Sequence, residues 1–150
     1  MDLLIPPPIV TALCAVTTWL VGRFVPLGGF EFPHQRLVAI GLLIAAALLM
    51  MVAAAQFLRA RTTINPMRPG KASSLMTTGV FAFSRNPIYL ADLLVLVGIA
   101  TWIGHLVGFL PCILFVAYMN RFQIRPEEST LTALFGDDYR RYRERVRRWI

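Results

Sequence analysis

Apolar residues run along this chain in long blocks separated by short polar breaks. No formal charge stands between Asp2 and Arg23, a run of 20 residues, and none between Arg36 and Arg59, a run of 22. A bilayer core takes about 20 consecutive apolar residues of helix, so each run is long enough to cross. Between Arg85 and Arg121 lie 35 residues whose single formal charge is Asp92. At about 1.5 Å per residue, one helix of that length overshoots a membrane. The block therefore reads as two helices with a tight turn near Ile103, Gly104 and His105. The pattern predicts an all-α fold: an integral membrane bundle of about four transmembrane helices over 8–25, 37–58, 87–103 and 105–120, within one domain covering 1–150.

Prolines and glycines punctuate these blocks. Pro8 suits the first turn of helix one and Pro26 its end, and Pro87 opens helix three. Pro111 is expected to kink helix four. Helix two is rich in alanine, which lets neighbouring backbones come close. The linker from Arg59 to Arg85 holds Pro66, Pro69, Gly70 and Gly79 among many hydroxyls, and reads as an irregular loop longer than a mere connection needs.

After Asn120 the character changes to a polar tail, 121–150, predicted to hold an amphipathic helical segment. Pro126 is placed like a first helical residue, Glu127 and Glu128 fill the first turn, and Gly136 is a stop. A further helix is expected from Asp137 or Asp138, with Tyr139, Tyr142, Val146, Trp149 and Ile150 on one face and six arginines on the rest. Such a helix can simply lie on anionic headgroups.

Composition supports the membrane reading: 57% of residues are hydrophobic and the mean hydropathy is +0.62, too high for an ordinary soluble domain. The net charge of +7 is unevenly spread. Arg59, Arg61, Arg68, Lys71 and Arg85 stand in one loop without an acid, and eight arginines follow Asn120. The loop after helix one has only Arg23 and Arg36 against Glu31. The positive-inside bias puts the 59–85 loop, the tail and the N-terminus in the cytoplasm. The charge thus reads as a topology signal with anionic-lipid contact, and no aromatic–basic surface accompanies it to suggest nucleic acid. The N-terminus has no basic region, and Pro6, Pro7 and Pro8 interrupt the place where a cleavable signal would begin. Cys14, Cys112, His34 and His105 stand alone, without metal or redox spacing. One lysine against fourteen arginines points to a GC-rich, bacterial source, and hence to an inner membrane.

Candidate chemistry gathers at the predicted cytoplasmic face. On a helix, Arg85, Tyr89 and Asp92 fall at i, i+4 and i+7 and share a face. An ionisable group inside a membrane segment is costly and is a functional candidate, although an Arg85–Asp92 pair could also just steady the helix end. Glu127 and Glu128 are adjacent like charges, which either start a helix or hold a cation. Together with the nearby aromatics, the clusters would suit a zwitterionic ligand bearing an aromatic group: Arg85 for a carboxylate, a glutamate for an ammonium, tyrosine rings for a base or a sulfonium.

The motifs "SRNPIY" and "EESTLTALFGDDYRRYRERVRRWI" resemble those of the isoprenylcysteine carboxyl methyltransferase and phospholipid N-methyltransferase family of integral membrane methyltransferases. The likeness covers residues from about 59 to 150, with several motifs in order and at matching spacing. It implies S-adenosylmethionine as methyl donor, with S-adenosylhomocysteine as product. The cofactor would be held by Arg85, Asn86 and Tyr89 on one side and by Glu127 and Glu128 on the other. Tyr139 and Tyr142 would close the adenosine side and Arg147 would support the site, while Asp92 and Arg85 would carry the catalytic roles. Departures from the family's pattern fall at Asn86, Ala91, Gln123, Val80 and Ala82, and they weaken the case for a prenylcysteine substrate. The acceptor stays open: a lipophilic carboxylate, a lipid amine, or a small thiol or phenol, reached through the bilayer. The alternative is a non-enzymatic four-helix membrane protein, such as a small transporter subunit or scaffold.

Overall fold

The computed structural model describes residues 5–26, 28–59 and 75–150. Residues 60–74, most of the expected irregular loop, lie outside the described residues. Five helices carry the fold: α1 (Pro7–Phe24), α2 (Gln35–Arg59), α3 (Pro87–Ile103), α4 (Leu110–Tyr118) and α5 (Arg125–Arg145). Short 3₁₀ turns over Gly79–Ala82 and Leu106–Phe109 precede α3 and α4, and a π-helical turn over Met119–Ile124 joins α4 to α5. Among the described residues, three helical runs are long and apolar enough to cross a membrane, and α3 is a shorter apolar helix beside them. This is an all-α, multi-pass membrane bundle.

The interior of the bundle is built around α3, which packs against α2, α1 and α4. Ala39, Ala46 and Ala53 are buried and recur every seven residues along α2, so one narrow stripe of small side chains faces α3. Gly98 answers from α3: a β-carbon there would stand 3.0 Å from Leu43 Cδ2 and 3.4 Å from the Ala39 carbonyl. Small residues at that crossing allow close backbone approach, the packing that replaces the hydrophobic effect inside a bilayer. The other faces of α2 present Leu37, Ile44, Leu48, Met51 and Leu58 outward, as a lipid-facing helix should. Leu96, Phe115 and Met119 are fully buried, and Cys112 and the half-buried Cys14 pack in the same cluster.

The turn after α3 falls where the pattern predicts it. Gly104 caps α3 in the left-handed conformation, φ 70°, which a side chain would strain. Its carbonyl accepts from Phe30 N at 2.8 Å, Leu106 N donates to the Gly28 carbonyl at 2.8 Å, and Gln35 Nε2 donates to the Thr101 carbonyl at 2.7 Å. The 28–35 and 101–106 segments are thus stitched together at one end of the bundle. The 3₁₀ turn at Gly79–Ala82, the start of α3, α5 and the last residues meet at the other.

Two local expectations change. Pro111 does not kink a long helix: it sits in the first turn of α4, where its missing N–H costs nothing. The irregularity lies later, in the π turn. The Gly136 stop stands where it is expected: its backbone leaves the helical conformation, φ 51° and ψ −121°, so α5 is two helical stretches meeting at a kink. The helical face drawn from Tyr139 to Ile150 also ends early. α5 stops at Arg145, Val146 is extended, and Trp149 and Ile150 leave the helix.

Candidate functional site

The site is assembled from four pieces of chain at one end of the bundle. The 3₁₀ turn is pinned by Phe81, which is buried and meets Phe57 of α2 edge-on, with ring centroids 5.1 Å apart. Its carbonyl accepts from the buried Tyr142 hydroxyl at 2.6 Å, tying α5 to the approach to α3. The Ser84 hydroxyl accepts from Asn86 N at 3.1 Å and shapes the bend before Pro87. Arg85 therefore lies outside α3, because the helix begins only at Pro87 with Asn86 as its cap. The expected face of Arg85, Tyr89 and Asp92 is replaced by a loop arginine and two helical residues three apart.

The π turn has a clear effect on the opposing wall. Such a turn inserts extra backbone and re-aims side chains, which is why it is common at functional sites. Here Gln123 is turned toward Glu127, while Asn120 is turned toward the last residues of the chain. Glu127 Oε1 accepts from the Tyr89 hydroxyl at 2.6 Å and from Gln123 Nε2 at 3.1 Å. Burial is the largest influence on Glu127, and together with the adjacent Glu128 it pushes the carboxyl up to about 7 against the opposing pull of those two bonds.

Glu128 stands at the centre of a second, more strongly charged group. Arg148 engages it in a fork, Nε to Oε1 at 3.0 Å and Nη2 to Oε2 at 2.7 Å. Arg85 Nη1 is 3.2 Å from the same Oε1, with both side chains about nine-tenths buried. That is ion-pair distance, but the N–H bonds do not aim at the oxygen. Among the described residues, Arg85 Nε and Nη1 are buried without a hydrogen-bond partner. Buried guanidinium donors are rarely left unspent, because the desolvation cost is then unrepaid.

The extended last residues lie across this group. Arg85 N donates to the Arg147 carbonyl at 3.0 Å, and Asn86 Nδ2 donates to the Arg148 carbonyl at 2.9 Å. Trp149 Nε1 and Arg148 Nη1 both reach Asn120 Oδ1, at 3.2 and 3.4 Å. Tyr139 and Tyr142 are buried with Val146 against Leu75, Leu131 and Phe135. Burial raises both phenols, Tyr139 to about 12.

The phospholipid methyltransferase family matches residues 34–138, more than half of the chain. The chain belongs to the phospholipid methyltransferase family. That match takes in α2 to α4, the Arg85–Tyr89 corner and the Glu127–Glu128 pair. A protein-S-isoprenylcysteine O-methyltransferase of Schizosaccharomyces pombe is 28% identical over 120 residues, covering 78% of this chain and 50% of the yeast protein. The chain therefore spans about half the length of that relative. An uncharacterized protein of Haemophilus influenzae is 44% identical over 63 residues, 42% of this chain and all of that protein. No solved structure matches.

Within this family member, the residues expected from sequence divide into three groups. Tyr89 is bonded directly to Glu127, Arg85 is ion-paired with Glu128, Asn86 joins them through the Arg148 carbonyl, and Tyr139 and Tyr142 pack beside them. Arg147 comes near only through its carbonyl, and its side chain is exposed. Asp92 does not pair with Arg85. It lies deeper along α3, half-buried, with the Thr11 hydroxyl of α1 beside it. Arg85 is instead drawn to Glu128. Three further side chains, Arg148, Asn120 and Gln123, complete the cluster. Arg148 is one of six arginines in the last fourteen residues, and nothing in that run singles it out. Asn120 did carry a signal, as a lone amide closing an apolar block.

Proposed function

We propose that this protein is an S-adenosylmethionine-dependent methyltransferase that modifies a lipophilic acceptor at the membrane, with 1–150 acting as one domain. The observation that carries the reading is Arg85. Its buried guanidinium donors, unspent among the described residues, stand beside the Glu128 carboxylate, in a member of a membrane methyltransferase family. An amino-acid zwitterion fits that donor set: Arg85 offers paired N–H groups to a carboxylate, and the acidic side offers oxygens to an ammonium. Both hydrogen bonds to Glu127 fall on Oε1, which leaves Oε2 for the ammonium. Asn86 and the Arg147 carbonyl hold the Arg85 corner in place. Tyr89, Tyr139 and Tyr142 supply the aromatic walls, suited to a nucleobase and to a positively charged sulfur.

S-adenosylmethionine, when bound, supplies an electrophilic methyl group. The chain's own contribution is to orient the two reactants and to exclude water, which accounts for much of the rate in a simple displacement. A carboxylate or thiolate acceptor needs no base. For an amine or phenol, the Asp92 carboxylate or one of the two glutamates would take the proton. The acceptor reaches the site from the bilayer, and the site with both termini faces the cytoplasm of a bacterial inner membrane. The test is to incubate the purified protein in lipid with methyl-labelled S-adenosylmethionine and a native lipid extract. A labelled, lipid-extractable product is expected. Label in none of the extract's components would sink the reading.

A further inference from the structure

We propose that Arg148 is a second arm of the ligand-carboxylate site, acting beside Arg85, with Glu128 as the shared carboxylate that positions both guanidinium groups. This rests on the cofactor reading above and names a residue that it does not include. Three observations support the assignment.

The first is charge. Two guanidinium groups meet a single carboxylate within 3.2 Å, so the group keeps one positive charge in excess. Glu127 lies next along the helix, but its Oε1 is taken by Tyr89 and Gln123, its Oε2 is assigned above to the ligand ammonium, and its carboxyl is only partly ionised near neutral pH. The Arg85 side chain is 10% exposed and that of Arg148 29%, and a surplus cation so enclosed calls for an anionic partner.

The second is donor count. A guanidinium has five N–H bonds. Arg148 spends two on Glu128 and one on Asn120, leaving two in the fork, and Arg85 Nε and Nη1 spend none. The third is rigidity. Asn86 holds the Arg148 carbonyl, Asn120 holds both Arg148 and Trp149, and Trp149 packs into the bundle core. The head group is thus fixed before any ligand arrives, which lowers the ordering cost of binding.

A side chain that only braced Glu128 would have another signature, so the ligand's carboxylate is the right probe. S-adenosylmethionine and its decarboxylated analogue, which keeps the ammonium and sulfonium, are titrated against wild type, Arg148→Gln and Arg148→Lys in nanodiscs. Each variant's unliganded thermal midpoint is measured alongside. In Arg148→Gln the affinity for S-adenosylmethionine is expected to fall roughly tenfold or more, the scale of one charge-assisted hydrogen bond. The decarboxylated analogue is expected to bind wild type and variant alike. Arg148→Lys keeps the charge without the fork and should fall between, and it carries the test should the glutamine variant fail to fold. Equal weakening of both ligands would make Arg148 a brace for Glu128 and overturn the assignment, as would no change. Tighter binding would overturn it too, marking Arg148 as a plug that ligand must displace. If wild type binds neither ligand, the cofactor reading itself falls and this one with it.

Discussion

Glu127 and Asp92 are both carboxyl groups near the start of α3, and their surroundings give them different work. Glu127 is raised to about 7 from an ordinary 4.5, chiefly by burial. The folded protein therefore holds its proton more tightly than the unfolded chain does. That contribution to stability is full below about 4.5 and is lost as pH rises through about 7. Ligand ammonium needs the ionised form, so affinity for S-adenosylhomocysteine should rise between pH 6 and 8. Glu127→Gln should bind more weakly by roughly tenfold, flatten that rise, and melt higher than wild type at pH 8. Calorimetric titration at three pH values, with thermal melts, checks all three. Asp92→Asn should leave cofactor affinity within about twofold, because Arg85 answers to Glu128 and not to it. If the acceptor is an amine or phenol, turnover should drop by 100-fold or so, the scale of general-base catalysis. Equal turnover in single-cycle kinetics would leave Asp92 no catalytic part.

At the scale of elements, the contact between α2 and α3 holds the site's foundation. Gly98→Leu would push side-chain carbons into Leu43 and the Ala39 backbone, an overpacking that costs about 1–3 kcal/mol. Gly41→Leu is the control, since a β-carbon at Gly41 meets nothing within 4 Å. Midpoints of thermal unfolding in detergent should separate the two variants. The apolar blocks made these helices legible, because charge spacing and proline placement act locally along the chain. The π turn was not legible. Its sequence, Met119–Ile124, has no proline or glycine to mark it, and the side chains bonded to it, Arg148 and Trp149 on Asn120 and Glu127 on Gln123, come from later in the chain. The same limit applies to the end of α5. Tyr139, Tyr142 and Val146 do share a helical face, but Trp149 finds Asn120 from an extended segment that no periodicity announces.

For the whole molecule, the arrangement of ends makes a prediction about sidedness. The 28–35 segment is bonded to the α3–α4 turn, and the charged site lies at the opposite end. Single cysteines in place of Glu31, Gly70 and Arg140 in a background lacking Cys14 and Cys112 test this with an impermeant thiol reagent on intact cells. Only the first should react, and labelling at position 70 would invert the topology. The candidate site was half legible at this scale. Arg85, Tyr89 and the two glutamates stood out because each is a charged or aromatic break beside an apolar run. Their pairing was misread, because residues 85 and 128 are far apart in sequence and only the folded chain shows Arg85 facing Glu128.

The shortness of α3 bears on how the protein sits in its bilayer. α3 has 17 residues and α2 has 25. Gly98 lies level with residues 39–43, so in antiparallel register Pro87 comes level with about residue 52 of α2. Some seven residues of α2 extend past it, roughly 10 Å at 1.5 Å each. The guanidinium–carboxylate group is therefore recessed below the end of its longest neighbour. A lipid-borne acceptor would meet the donor without rising out of its own leaflet. Membrane thickness then becomes a rate variable: in vesicles of increasing acyl length, turnover should fall while cofactor affinity holds, as the headgroup plane is carried away from a reaction centre that cannot follow.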